Sequence, residues 1–529
     1  MRRWAEPVIA AALLAAVAAP FWAGRFLPFL DLPQHLGLAA VVAHHDPGSA
    51  LARYYEIDPH VTPYWGYYGA MWLLARALPL ELANRLLFTA YAVGIPLGAA
   101  YLLASFGRDR RWAVLTLPLV FNTNLFFGFA TFLLSIPLFL VALALSERHL
   151  AGDRVRARHA LPLALAAALV FLFHAQTYLL LGLCVLILLA VHAPRGLSSL
   201  AARVAPYLPS LALFGAWFWR SFVAPVRTAV EEHTVHHRTY GGVGGLGAGY
   251  EPWRVVVAKM PERLFGSFND RSDARIALVL LALFAVALAA GYGKAPPAAR
   301  RGEGDEIRGG VRRFFLIHRT DVLVLALLAS YLFVPMEITG QWYVNPRHLV
   351  FAALALPLLL AAPARRWRTG LVAAGVVVAL LASGNAFAKV RAFQRQVGDF
   401  GAVAAALPPG GRVLGLPFDN GSGGPVRFWP FLHWGCWEQI LAGGDVGFSF
   451  AGLPSIPVRY RPGMQAPHPY EWRPDQFVWA TMGPRYDAFL VSGTPRGRGG
   501  DELRRHADVV ARGGAFTLWK ARSGAAAER

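Results

Sequence analysis

An aspartate and a histidine stand four residues apart in Phe29-Leu30-Asp31-Leu32-Pro33-Gln34-His35-Leu36, directly after the first apolar segment. A carboxylate at such a place can act as general base on a hydroxyl group that arrives in water. An imidazole one helical turn later can bond that carboxylate or a phosphate. Asp31 to Gln34 also fit a capping box, with Pro33 in the first helical turn. A capping aspartate is held rigidly and keeps one oxygen free, so the two uses of Asp31 are compatible.

Asn345-Pro346-Arg347-His348 is the second candidate. Asn345 can cap a helix, Pro346 fits its first turn, and Arg347 then stands at the helix N-terminus. Free N–H groups and a guanidinium converge there on an anion, and a lipid phosphate lies at that depth. The competing use is an arginine that snorkels to the headgroups and anchors the helix.

Glu56, Asp58 and His60 alternate in Tyr54-Tyr55-Glu56-Ile57-Asp58-Pro59-His60, so an extended segment points all three to one face. Oxygen and nitrogen ligands in that arrangement suit a divalent cation, and a solvated loop edge gives the same pattern. The run Glu231-Glu232-His233-Thr234-Val235-His236-His237-Arg238 fits no closed zinc site, and with the glycines from Gly241 to Gly249 it could form a lid. Phe428-Trp429-Pro430-Phe431-Leu432-His433-Trp434 can stack a sugar or pack on a membrane surface. His174, Gln176, Asn122 and Asn124 read as polar turn residues. Cys184 and Cys436 fall in regions of different character, which implies neither a disulfide nor a thiolate metal site.

The elements that must position these residues are membrane spans. Of 529 residues 56% are hydrophobic and only 16% charged, too few charges for the surface of a soluble protein of this size. The formal charge of +20 is scattered over the ends of apolar runs rather than gathered into a patch, which argues against a nucleic-acid partner. Apolar runs separated by arginine-rich short loops give about eleven transmembrane helices, with the N-terminus cytoplasmic and the C-terminus outside. The first run, Pro7 to Gly24, reads as an uncleaved helix, although Ala16-Val17-Ala18 resembles a cleavage site. Long external loops are expected over 25–79, with short interfacial helices at Leu32–His44 and Tyr64–Leu78, and over 223–273. Residues 1–388 thus form an all-α polytopic domain. Residues 389–529 form a small α/β extracytoplasmic domain, with an amphipathic helix at Lys389–Leu407, strands at Arg412–Pro417, Tyr486–Ser492 and Ala515–Lys520, and a helix at about 501–511.

An acidic residue in the first external loop, an aromatic Pro-Tyr helix in Thr62-Pro63-Tyr64-Trp65-Gly66-Tyr67-Tyr68, many spans and a C-terminal α/β domain occur together here. In this the chain resembles the GT-C superfamily of polyprenyl-phosphate-sugar-dependent membrane glycosyltransferases. The resemblance covers most of the chain and is architectural. It implies that Asp31 is the catalytic base or helps to hold a metal, although Leu30 and Leu32 flank it where many members carry adjacent acidic residues. The expectation is an inverting transfer from a polyprenyl-phosphate-linked sugar to an extracytoplasmic acceptor in the cell envelope. Asp31 is the catalytic residue, and His35, Tyr64, Arg347 and His348 bind substrate. A divalent cation at Glu56, Asp58 and His60 is the one cofactor considered. A transporter or flippase for a lipid-linked or anionic substrate, and a non-catalytic envelope-assembly protein, are the alternatives. A transporter would place charged residues within the spans, whereas here they gather at span ends.

Overall fold

A computed structural model describes residues 2–152, 157–192, 196–223, 247–293, 310–338, 341–362, 365–453 and 456–522. The histidine-rich run at 231–238, most of the glycine tract, and the loop arginines Arg154, Arg156, Arg195, Arg300, Arg301 and Arg308 lie outside the described residues.

Six described helices are long and apolar enough to cross a membrane: Leu80–Ser105, Ala130–Ala151, Ala175–His192, Leu197–Phe222, Ser272–Gly291 and Trp367–Val397. Four shorter apolar helices accompany them: Glu6–Trp22, Leu32–Ala43, Ala157–Phe173 and Val344–Leu359. Small residues let the first two long helices approach closely. A Cβ on Gly94 would stand 2.8 Å from Pro137, and one on Gly98 would stand 3.1 Å from Leu140. A buried ion group ties three helices, with Arg319 Nε donating to Glu147 Oε1 at 2.8 Å and His192 Nε2 3.0 Å from Glu147 Oε2.

Two expected elements differ. The segment expected to cross at about 112–122 is a twelve-residue 3₁₀ helix, Arg110–Phe121, buried from Trp112 onward. At about 2.0 Å per residue it reaches roughly 24 Å, less than a hydrocarbon core. The last apolar helix does not stop near Lys389 but runs unbroken over 33 residues, Arg365–Val397. No Gly or Pro interrupts it after Gly384, and it ends at Gly398, whose φ of 69° is the left-handed cap that favours glycine. The expected helix at Lys389–Leu407 is therefore the tail of this helix plus a short turn of helix at Gly401–Ala406.

The C-terminal region builds a five-stranded mixed sheet in the order Asp445–Val446, Arg412–Pro417, Ala488–Ser492, Phe516–Ala521, Ala507–Gly513. The first three strands are parallel and the last two antiparallel to their neighbours. The helix expected at about 501–511 ends at His506, and Ala507–Gly513 is an edge strand whose outward face is exposed. Its two charged residues, Asp508 and Arg512, stand four apart, as on one face of a helix, which is why the sequence pattern misplaced it.

The first loop is stitched to this region. Tyr55–Ile57 pairs antiparallel with Val458–Tyr460, and the Tyr55 hydroxyl donates to Asp445 Oδ1 at 2.5 Å. The helix Leu32–Ala43, expected to lie in the membrane interface, is instead buried over Leu32–Val42, packed between Trp65–Leu74 and the Trp434–Leu441 segment. Apart from Gln34 and His35 its sequence is apolar on every side, as an enclosed helix requires.

Candidate active site

Main-chain bonds fix Asp31 before its side chain is considered. Leu30 N–H donates to Phe126 O and Asp31 N–H to Phe127 O, each at 3.0 Å. The short helix Thr123–Phe127 that supplies these carbonyls ends at Gly128 in the left-handed region. Asp31 occupies the N-cap position of Leu32–Ala43, yet its side chain makes no capping bond. The carboxylate turns instead toward the C-terminal region, with Oδ1 3.3 Å from His433 Nε2. Gln34, the other half of the expected capping box, also reaches that way. Its Nε2 donates to Phe448 O at 3.1 Å, and its Oε1 accepts from Phe450 N–H at 3.0 Å.

Asp31 and Arg347 line one cavity of about 210 Å³, together with His35, Tyr64, His174, His433 and Glu471. Phe129, Phe132, Trp342, Trp429 and Trp472 form much of its apolar wall. Arg347 lies flat on aromatic rings, its Cζ 4.3 Å from the Phe129 centroid and 5.9 Å from that of Phe132. Its Nη1 donates to Gln176 Oε1 at 3.4 Å, and Gln176 Nε2 donates to Val344 O at 2.7 Å, so the glutamine braces the arginine against its own helix.

The helix that carries Arg347 begins two residues earlier than expected. It spans Val344–Ala355, and Tyr343, at φ 62°, takes the N-cap position without a side-chain bond. Asn345 is thus not the cap but lies in the first turn, where its Nδ2 donates to Tyr331 O at 3.3 Å. The anion-binding logic of the N-terminus survives this shift, because Arg347 remains in the opening turn.

His35 is buried, paired with the Tyr68 hydroxyl at 2.9 Å, and burial holds its pKa down at about 4, against the pull of Asp31. It is therefore neutral at physiological pH. Tyr64 lines the cavity beside Asp31 and Arg347, and burial raises its phenol above the usual range. His348 is not among the residues that line the cavity, and it is buried with neither ring nitrogen hydrogen-bonded.

Glu56, Asp58 and His60 lie elsewhere. Glu56 is exposed opposite Arg459 in the strand pair. Asp58 is held by Arg220 at 2.9 Å, by Arg459 at 2.7 Å and by a short contact to His60. Burial works to raise its pKa, but the bonds from Arg220 and His60 outweigh it and hold the carboxyl well below the usual range. A cation would have to displace two guanidiniums, so these residues as placed do not fit one, and no described group of three His, Cys, Asp or Glu has metal-binding geometry.

His433, Glu471, Trp429 and Trp472 reach the cavity from the C-terminal region, where sequence reasoning assigned no catalytic-site residue. The aromatic run Phe428–Trp434 was the available signal, though it spoke of stacking rather than of a histidine beside Asp31.

No protein-family model and no curated protein matches the chain. Among solved structures it aligns with a mutant form of arabinofuranosyltransferase AftD from Mycobacteria, with a TM-score of 0.51 and 16% identity over 99% of this chain. The two share a fold. A second AftD structure aligns with a TM-score of 0.49, also at 16% identity and over 99% of this chain. The chain spans 42% and 40% of those two longer chains.

Proposed function

We propose that the chain is an integral membrane glycosyltransferase that takes a sugar from a polyprenyl-phosphate donor and passes it, with inversion, to an acceptor outside the cytoplasm. The observation that carries this is the shared cavity of Asp31 and Arg347, a carboxylate and a guanidinium facing one space from widely separated parts of the sequence. In this reading the first loop and C-terminal domain lie outside.

The geometry supports a direct displacement. Asp31 takes the proton of an acceptor hydroxyl, the oxygen attacks the anomeric carbon, and the bond to the lipid phosphate breaks. Arg347, stacked and braced, meets the charge that grows on the departing phosphate. The tryptophans of the wall offer faces for sugar rings. A transport reading has less to rest on. Glu147, a buried carboxylate among the spans, is satisfied by Arg319 and His192 rather than open to a path.

The test is transfer by purified protein in liposomes, with a panel of polyprenyl-phosphate sugars and products read by mass spectrometry. Asp31→Asn is expected to lower turnover by roughly 10²–10⁴-fold while the protein keeps its fold. Full turnover by this variant, or cell-envelope glycans unchanged when the protein is absent, would overturn the reading.

A further inference from the structure

We propose that His433 is a positioning residue that holds the Asp31 carboxylate through a proton fixed on Nε2, and that Gln34 dictates that protonation state. The inference rests on the assignment of Asp31 as base made above.

The argument starts from the Gln34 amide, which sits between two backbone groups of opposite kind. Phe450 N–H can only donate, and it meets Oε1 at 3.0 Å. Phe448 C=O can only accept, and it meets Nε2 at 3.1 Å. The amide therefore has one orientation, a choice that electron density seldom settles but that this pair of neighbours does. Its NH₂ group also faces His433 Nδ1 at 3.3 Å, so Nδ1 must be the acceptor. A neutral imidazole with a lone pair on Nδ1 carries its hydrogen on Nε2. Nε2 is the atom 3.3 Å from Asp31 Oδ1, and an ionised carboxylate only accepts.

Two neighbours thus specify one tautomer from opposite sides of the ring. A hydrogen on Nδ1 in place of Nε2 would press N–H against the Gln34 NH₂ group. The ring is also fixed in plane, stacked on Phe448 with 5.6 Å between centroids and 15° between planes. Of the titratable groups around it, Asp31 meets it directly, and His35 and Glu471 line the same cavity.

His433 therefore orients the base without competing for its proton. When the acceptor O–H bond breaks, the new O–H bond forms on Asp31, and the Nε2–H bond is left intact. Asp31 and Gln34 belong to the first loop, whereas His433, Phe448 and Phe450 belong to the C-terminal region. Docking of that region completes the base.

The experiment is magic-angle-spinning NMR of isotope-labelled histidine in the full-length protein in lipid nanodiscs, with the His433 signals assigned by loss in His433→Gln. At about pH 7 the expected spectrum has Nδ1 bare and Nε2 protonated. In Gln34→Glu, whose carboxylate cannot donate, Nδ1 is expected to become protonated. A wild-type spectrum with Nδ1 protonated overturns the proposal without any need for a folded variant. In turnover assays His433→Gln, which can keep an N–H near Asp31, is expected to stay within about tenfold of wild type, whereas His433→Ala loses roughly 100-fold in kcat with little change in donor KM. Equal losses in the two variants overturn the positioning role. Because the NMR reads the tautomer in the absence of turnover, an active Asp31→Asn would sink the assignment of the base and leave the tautomer standing.

Discussion

Gly128 lies against the backbone of Asp31. A Cβ on Gly128 would stand 2.8 Å from the nitrogens of both Asp31 and Leu32, and the residue sits at φ 79°, where a side chain is strained in any case. The carboxylate's position therefore depends on a missing methyl group in another helix's cap. Gly128→Ala is expected to cost about 1–3 kcal/mol of stability from the backbone alone and to lower turnover further by displacing Asp31. Thermal melts in detergent and kcat, measured on the same preparation, separate the two effects. Wild-type turnover in the variant would show that the contact does not set the base.

Arg347 combines charge, stacking on Phe129 and a bond to Gln176. Arg347→Lys keeps only the charge, so donor affinity is expected to fall about tenfold or more despite the conserved sign. Gln176→Leu removes the brace alone and is expected to produce a smaller loss of the same kind. Direct binding of a polyprenyl-phosphate donor measures both, and equal affinity in Arg347→Lys would place the phosphate elsewhere.

The Glu147, Arg319 and His192 group is structural in this account, and its removal should be read in stability. Glu147→Gln leaves Arg319 buried without its carboxylate and is expected to cost about 3–5 kcal/mol. Glu147→Leu combined with Arg319→Met is expected to recover much of that, since apolar residues can replace a buried pair. Melting temperatures of the single and double variants decide this, and turnover per folded molecule should not change.

Glu438 gives a pH dependence whose sign can be stated. It is buried in the C-terminal domain with neither carboxyl oxygen hydrogen-bonded, and burial, with Asp487 and Asp445 nearby, pushes its pKa up to about 9. The folded protein then holds a proton that the unfolded chain releases above about pH 4.5. Stability from this group is complete below that value and is lost as pH rises toward about 9. Glu438→Gln should flatten that decline, with its largest benefit at alkaline pH. Unfolding midpoints across pH for both proteins provide the check, and parallel curves would refute it.

The sequence by itself determined that this is a membrane protein of apolar helices with a small mixed domain at its end, because hydropathy and loop charge are local properties. It also marked Asp31 and Arg347, since an acidic residue after a first span and an arginine in an opening helical turn are visible in a few consecutive letters. The strand at Arg412–Pro417 was legible from its apolar run, whereas the edge strand at Ala507–Gly513 was not, because its two charges stand four apart, as on a helix face. Whether Asp31 would cap its helix or leave its carboxylate open was likewise undecided by the letters. Only the tertiary structure decided that His433 would meet Asp31 on one side of its ring and Gln34 on the other, and that Asp58 would be taken by Arg220 and Arg459. His433 and Arg459 come from the far end of the chain and Arg220 from another helix, and a contact of that kind depends on how helices and sheet pack, a property no short stretch of sequence contains.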